Sequence, residues 1–565
     1  MSSGTARPAA SDPPVQTVLP SSSDPGHPPA SSAAASVADR TALLVMQLAA
    51  FAVVLWTLPY KAFELDRFFV PKELVLHASA GLCTLLLLAR RGPLALNRLD
   101  LLLGTAFGVS MVSALFATNQ WLAARALGVT LSGVLVFICA RLLSERGHAR
   151  RLLTGVSAAV VAGALTGLLQ AYGLEGAWMS LSRAPGGTFG NRNFLAHLSA
   201  IGLPAMVWLA LTARTRRRSM IGLLGILLTV VALVLSRSRA AWLSLMVAAA
   251  LTFVMSITIA RGVWRDRRLV TRMLVLVMTG VVGTGAALVV PNTLDWNSDS
   301  PYLDSMRGVV NYRDGSGHGR LVQYRNSLRL ALHRPLLGVG PGNWAVRYPE
   351  VAANDDPSMS SRDGMTSNPW PSSDWVAWIS ERGVIALAPL LLALAGASLA
   401  AAGRAARATD TEERVRAMAL FATVAVTVVV AAFDAVTLLA VPAFFAWVII
   451  GALLPPMREK RRLQGGRRAM CMAGAVILAF AAFGYSAAQA RAMAVYSGST
   501  RTAALREAVR LDPGSYRIRL RLAERRAQAG DCDEVREHAG AARHLFPSAG
   551  APRRLLRNCG VRVPR

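Results

Sequence analysis

The sequence predicts an all-α, polytopic integral membrane protein, with about 12–13 transmembrane helices, one large loop held outside the membrane and a small helical C-terminal tail. Three observations carry that prediction. Of 565 residues, 53% are hydrophobic and only 16% charged, too apolar a balance for a soluble chain of this size. The apolar residues gather in successive windows of about 20 residues, the length a helix needs to cross a hydrocarbon core. Basic residues crowd into every second connection between those windows, and the intervening connections carry few.

Residues 1–38 are rich in Pro, Ser and Ala and lack an apolar core, which predicts a disordered cytoplasmic tail and not a signal peptide. A membrane body is expected over 39–488. Its spans fall at 41–60, 70–89, 99–118, 121–142, 150–171, 193–212, 219–236, 239–260, 273–291, 375–402, 416–436, 437–456 and 469–488, with 236–239 a tight turn. The basic clusters lie around Arg90–Arg98, Arg141–Arg151, Arg214–Arg218, Arg261–Arg272, Arg404–Arg416 and Arg458–Arg468. Their alternation accounts for the net charge of +29 as topology charge, so no nucleic-acid partner is expected. The positive-inside rule puts these clusters and the N-terminus in the cytoplasm. Thirteen crossings then leave the C-terminus, and segments 173–192, 236–239 and 292–374, on the outer side. The long segment must stay wet, because irregular backbone cannot face lipid.

Beyond 489 the chain is predicted to be a small outer helical tail. AVRLDPGS at 508–515 recurs as ARHLFPSA at 542–549, placing Pro513 and Pro547 34 residues apart, the tetratricopeptide period. Leu520, Leu522, Ala523 and Ala527 are expected on one helical face, facing Val535, Ala539 and Ala542. One such repeat is too small to stand alone, so it should pack on the outer loop or on a protein partner. An unspecialised helical hairpin is the competing reading. Cys83, Cys139 and Cys471 lie in apolar spans as small hydrophobes. Cys532 and Cys559 lie where a disulfide is permitted.

Three outer clusters bear chemistry. Gly186-Gly187-Thr188-Phe189-Gly190-Asn191-Arg192 combines exposed backbone N–H groups with a cation. Ser236-Arg237-Ser238-Arg239 sets two arginines on the side the charge rule disfavours, where the phosphate of a membrane lipid is a natural partner. Arg320, Arg325 and Arg329 recur at roughly helical spacing without aligning on one face, and Gly338-Val339-Gly340-Pro341-Gly342-Asn343-Trp344 forms a sharp turn beyond them. No nucleotide fingerprint is present, since the glycines follow no strand and no Gly-Lys-Ser/Thr occurs there.

GTFGNRNFLA, SRSRAAWLSL, GRLVQYRNSLRLALHRPLLGVGPGNW and DWVAWISERGVIAL, in that order, resemble the O-antigen ligase, Wzy-type polymerase and protein O-oligosaccharyltransferase superfamily. The likeness covers residues 180–400 well and the remaining spans by topology. It implies a GT-C-like glycosyltransferase of the bacterial inner membrane. The donor would be an undecaprenyl-diphosphate-linked glycan used on the periplasmic face, with no metal or other cofactor. The acceptor would be lipid A core, another glycan or a protein; the O-antigen ligase reading leads, with polymerase and O-oligosaccharyltransferase as alternatives. The family's essential arginines, the expected catalytic ones, correspond to one or both of Arg237 and Arg239, and to Arg320. Arg192, Arg237, Arg239, Arg320 and Arg325 are the expected diphosphate-binding set.

The family's histidine before its Glu-x-Gly helix is replaced here by Pro371-Ser372-Ser373-Asp374. Asp374, or else His318, is therefore the expected general base. Glu381 and Asp434, near span ends, are each either functional or paired. A polysaccharide transporter is the more remote reading. It predicts broken, internally repeated helices with mid-span polar residues, whereas the distinctive residues here cluster in outer loops.

Overall fold

The computed structural model describes residues 1–4, 30–88, 94–179, 183–296, 298, 300–307, 315–353, 355–360, 363–457 and 461–562. Within them the fold is almost wholly helical. In chain order the helices are α1 (Ala30–Leu55), α2 (Asp66–Leu88), α3 (Arg98–Ala114), α4 (Gln120–Glu145), α5 (Ala149–Ala171), α6 (Arg192–Leu211), α7 (Arg216–Ser236), α8 (Arg239–Thr258) and α9 (Arg267–Val289). The large loop carries α10 (Pro301–Arg307), α11 (Gly315–His333) and the single turn α12 (Trp344–Arg347). The chain re-enters the bundle through α13 (Asp374–Arg407), α14 (Thr411–Ala431), α15 (Ala440–Leu453) and α16 (Gly465–Gly498). The tail is α17 (Thr502–Leu511), α18 (Tyr516–Gln528), α19 (Cys532–Leu545) and α20 (Gly550–Asn558).

Eleven of the described helices are long and apolar enough to cross a membrane, so the protein is a multi-pass membrane protein. Two expected spans fall short. α3 has 17 residues. α15 has 14, about 21 Å of helix against a hydrocarbon core of about 30 Å. The sequence placed an unbroken span at 437–456, but the chain between Ala432 and Leu439 is not helical. Every residue of α15 is buried, so it never meets lipid and can be short. Irregular backbone at that depth is tolerated because protein surrounds it. The N-terminal tail also differs, since α1 already begins at Ala30; residues 5–29 lie outside the described set.

The connections separate into two faces, and the partition follows the charge pattern. On the basic face, Arg146 reaches Asp39 at 2.6 Å, Arg141 meets Asp100 at 2.8 Å, and Arg150 meets Glu412 at 2.6 Å. There too β1 (Leu94–Leu96) pairs antiparallel with β2 (Arg461–Leu463), tying the α2–α3 and α15–α16 connections. On the opposite face, Arg67 donates to the carbonyls of Ala177 and Met179, Thr293 N–H to Ala171, and Asn119 N–H to the Asn343 side chain. All the segments expected together outside the membrane meet on this second face, here called the loop face.

The loop face is locked by one carboxylate. Glu381 accepts from Gly342 N–H at 2.8 Å and Trp344 N–H at 3.2 Å, and pairs with Arg382 at 3.2 Å. The turn beyond Pro335 is thereby pinned to α13, and of the two readings open for Glu381 the structure supports the paired one. Gly383 sits at φ 73°, ψ 177°, a region essentially reserved for glycine, and a Cβ there would fall 2.1 Å from the Leu336 carbonyl oxygen. Gly383→Ala is therefore expected to destabilise the folded protein by about 3 kcal/mol or more and to deplete it from membranes. Immunoblotting of membrane fractions checks this.

The tail docks on the same face. Gly550 N–H donates to the Asp363 carbonyl at 2.8 Å, Asn119 Nδ2 donates to the Leu545 carbonyl at 3.4 Å, and Phe546 packs against the Trp344–Tyr348 cluster. α18 and α19 form the expected hairpin, with Leu522, Ala523, Val535, Ala539 and Ala542 buried and Leu520 and Ala527 half-buried. α16 runs past residue 488 to Gly498, so the last membrane helix reaches almost to the start of α17. Cys532 and Cys559 form a disulfide across α19 and α20, while Cys83 and Cys139 are buried. Cys471 lies in the apolar helix α16, as expected, on its exposed outer surface. The disulfide closes a loop with a sequence separation of 27. Cys559→Ser is expected to cost the tail about 3 kcal/mol, read as faster proteolysis of 499–562.

Candidate active site

The loop face opens into a polar cavity of about 1330 Å³. Helix starts built by the sequence aim cations at it. Asn191 caps α6 by accepting from Asn193 N–H at 3.0 Å, which puts Arg192 in its first turn. Ser236-Arg237-Ser238 reverses the chain between α7 and α8. Arg237 adopts a left-handed φ of 54°, rare for a non-glycine residue, and Arg239 opens α8. Two helix N-termini therefore add partial positive charge near the cations.

Arg192, Arg237, Arg239 and Arg320 all line this one cavity. Arg237 Nε donates to Ser305 Oγ of α10 at 2.8 Å. Trp296 stands between two of the cations, its ring centre 4.5 Å from the Arg237 guanidinium carbon and 5.1 Å from that of Arg192. A π face shared by two arginines offsets part of their mutual repulsion. Burial pushes the Arg237 pKa below its ordinary value; Tyr302 and Asp304 oppose the shift and Arg239 adds to it. An arginine so placed stays charged, and its charge gains strength from a poorly hydrated setting.

Arg320 reaches the cavity from α11 through the helix face that also carries Gly319 and Gln323. The buried positions Gln323, Asn326, Ser327 and Leu330 fix which way α11 turns. Trp344 Nε1 bonds Ser327 at 2.8 Å and Asn326 bonds Asp356 at 2.8 Å, so the helix is pinned from the loop side. Arg325 is exposed and does not line the cavity, since five residues along a helix turn it about 140° from Arg320. His318 is likewise exposed and off the wall.

Asp374 lies off the wall too. It is wholly buried, and its two carboxylate oxygens accept from Val436 N–H at 2.9 Å and Thr437 N–H at 2.6 Å. The carboxylate therefore caps the break before α15. The acids that do line the cavity are Glu64, Glu175, Asp304 and Asp434. Asp434 Oδ2 stands 3.8 Å from Nε2 of the fully buried His197.

Several wall residues escaped the sequence-based expectation. Lys61 and Arg183 were the accessible ones: both are basic residues in outer connections, the same anomaly that singles out Arg237 and Arg239. Trp370, packed edge-on against Phe69 at 5.4 Å, presents an aromatic wall that no local pattern announces. Arg67 also borders the cavity but spends its guanidinium on the Ala177 and Met179 carbonyls. Among the described residues no cluster of three or more His, Cys, Asp or Glu could hold a metal ion.

The arrangement is chemically specific. Cations from four separate connections converge on one wet chamber at the edge of an apolar bundle, with carboxylates and an aromatic wall beside them. It suits a polyanion. No curated protein matches the chain. Residues 224–391, which contain Arg237, Arg239 and Arg320, match the family model described as Wzy_C, O-antigen ligase, and over that stretch the chain carries a domain of the O-antigen ligase family.

Proposed function

We propose that this protein is a membrane glycosyltransferase that moves glycan from an undecaprenyl-diphosphate-linked donor to an acceptor hydroxyl on the periplasmic face, with O-antigen ligation to lipid A core as the leading reaction. The observation that carries the reading is the convergence of Arg192, Arg237, Arg239 and Arg320 on one cavity, on the face away from the basic loops. The positive-inside rule makes that face periplasmic. A lipid-linked diphosphate is the anion that a cationic chamber at a membrane edge suits, because its tail stays in the bilayer while its charge enters the chamber.

In the reaction the acceptor oxygen attacks the anomeric carbon of the donor sugar. The bond from that carbon to the diphosphate oxygen breaks, and its electron pair leaves with the diphosphate. The arginines stabilise charge that grows on this leaving group, which is electrostatic catalysis by positioned cations. The proton of the acceptor hydroxyl goes to a carboxylate, and Asp434 is suited because it lines the chamber. Trp370 offers a flat face to a sugar ring.

Ligase, polymerase and O-oligosaccharyltransferase share this chemistry and differ in acceptor. The docked tail borders the loop face and offers a surface for a protein substrate or partner, which keeps the last alternative open. Deletion of the gene followed by glycan profiling separates them. Loss of capped lipopolysaccharide alone identifies a ligase, accumulation of single-repeat glycans a polymerase, and naked proteins an oligosaccharyltransferase. Unchanged lipopolysaccharide, secreted polysaccharide and glycoprotein pools would refute the proposal.

A further inference from the structure

A second cavity, of about 970 Å³, opens on the basic face, walled by α1, α5, α6, α7 and α14. On α5, Arg150, Thr154, Ser157, Ala158 and Val161 follow one helical stripe into it. That stripe descends about 16 Å along the bundle, from the basic rim into the apolar interior. On α7 the matching stripe is Arg218, Gly222 and Gly225, whose glycines let α7 approach its neighbours closely, a Cβ falling 3.2 Å from Ala210 and 3.0 Å from Val161 respectively.

The chemistry changes with depth. At the mouth stand five arginines against two glutamates. Arg150 pairs with Glu412 at 2.6 Å and Arg416 with Glu413 at 3.3 Å, which occupies both acids. Arg151, Arg214 and Arg218 remain, all exposed at the rim. Further in, Ala158, Val161, Met206, Leu209, Gly222 and Gly225 make an apolar trench. Between the zones sits Ser157, only 9% exposed, whose Oγ has no hydrogen-bond partner in the protein. A buried hydroxyl without a partner is costly and points to an oxygen supplied from outside.

We propose that this groove binds an anionic phospholipid of the basic-face leaflet. The phosphate lies among Arg151, Arg214 and Arg218, which suit it by charge and by paired N–H donors. An ester oxygen accepts from Ser157, and an acyl chain lies along the trench. The neighbouring α7 surface exposes Met220, Ile221 and Leu224 at 59%, 60% and 56%, so the groove adjoins lipid and is entered sideways from the bilayer. Topology charge alone explains the rim. It explains neither the trench beneath it nor the orphan hydroxyl between them.

Native mass spectrometry of the full-length protein tests this, after release from phosphatidylcholine nanodiscs with and without phosphatidylglycerol. One retained phosphatidylglycerol per chain is expected, preferred about tenfold over phosphatidylcholine. Arg214→Gln with Arg218→Gln, both exposed positions, should abolish the preference without touching the fold. Ala158→Phe, at an exposed position on the trench wall, should lose the lipid by filling the trench while the rim charge stays intact. Added inorganic phosphate should leave the lipid bound. Equal retention of the two lipids, unchanged retention in both variants, or displacement by inorganic phosphate would each overturn the proposal, the last by reducing the site to a phosphate rim.

Discussion

Arg320→Ala is expected to insert normally and to lose about 100- to 1,000-fold in glycan transfer, the cost of removing one positioned charge donor from a developing anion. The expectation follows from where α11 points it. Gln323, Asn326 and Ser327 anchor the helix, so Arg320 is presented to the cavity by a rigid element. Truncating it removes charge without removing packing, because the side chain is only half-buried on the wall. Arg320→Lys should recover part of the rate, since an ammonium restores charge but not the planar fork. Arg325→Ala supplies the internal comparison. It lies on the exposed side of the same helix and should cost less than about threefold. The measurement is transfer from a lipid-linked donor in isolated membranes, normalised to inserted protein. Wild-type turnover by Arg320→Ala would sink the diphosphate-holding role, and equal losses at Arg320 and Arg325 would mean that bulk positive charge matters and not the cavity.

What could be read from the sequence was what composition and charge decide. Hydrophobic length gave the bundle, and alternation of arginines predicted the two faces, because both effects act on each segment independently of its neighbours. The same rule flagged Arg237 and Arg239 as arginines needing a partner. What escaped was decided by packing between distant segments. Nothing within α11 says which side of it is buried; that depends on Trp344 and Asp356 meeting Ser327 and Asn326. So Arg325, expected beside Arg320 in the diphosphate-binding set, is separated from it in the fold. The Asp434–His197 pair joins residues more than two hundred positions apart. The span expected at 437–456 failed for a related reason. Its apolar composition is real, but its first turn is replaced by a break whose N–H groups are satisfied from Asp374, some sixty residues upstream.

That break sets up the second large effect. Asp374→Ala is expected to fail chiefly in folding and not in chemistry. It leaves the N–H groups of Val436 and Thr437 buried without acceptors, at about 1–3 kcal/mol each. The loss falls on a segment beside the cavity: Asp434, which lines it, precedes the capped residues, and Trp378 Nε1 donates to Thr437 Oγ1 at 3.1 Å. Irregular backbone inside a membrane bundle has no water to fall back on, so the effect should exceed that of an exposed cap. Asp374→Asn keeps one acceptor oxygen and should retain an inserted, partly active protein. Asp434→Asn should behave in the opposite way, inserting at normal levels while transfer falls by about 100-fold or more. Protein level in membranes and turnover per inserted molecule, measured on all three variants, separate a cap from a base. If Asp374→Asn inserts fully yet transfers nothing while Asp434→Asn transfers normally, the proton acceptor is Asp374, and the capping geometry is the resting arrangement of a catalytic carboxylate.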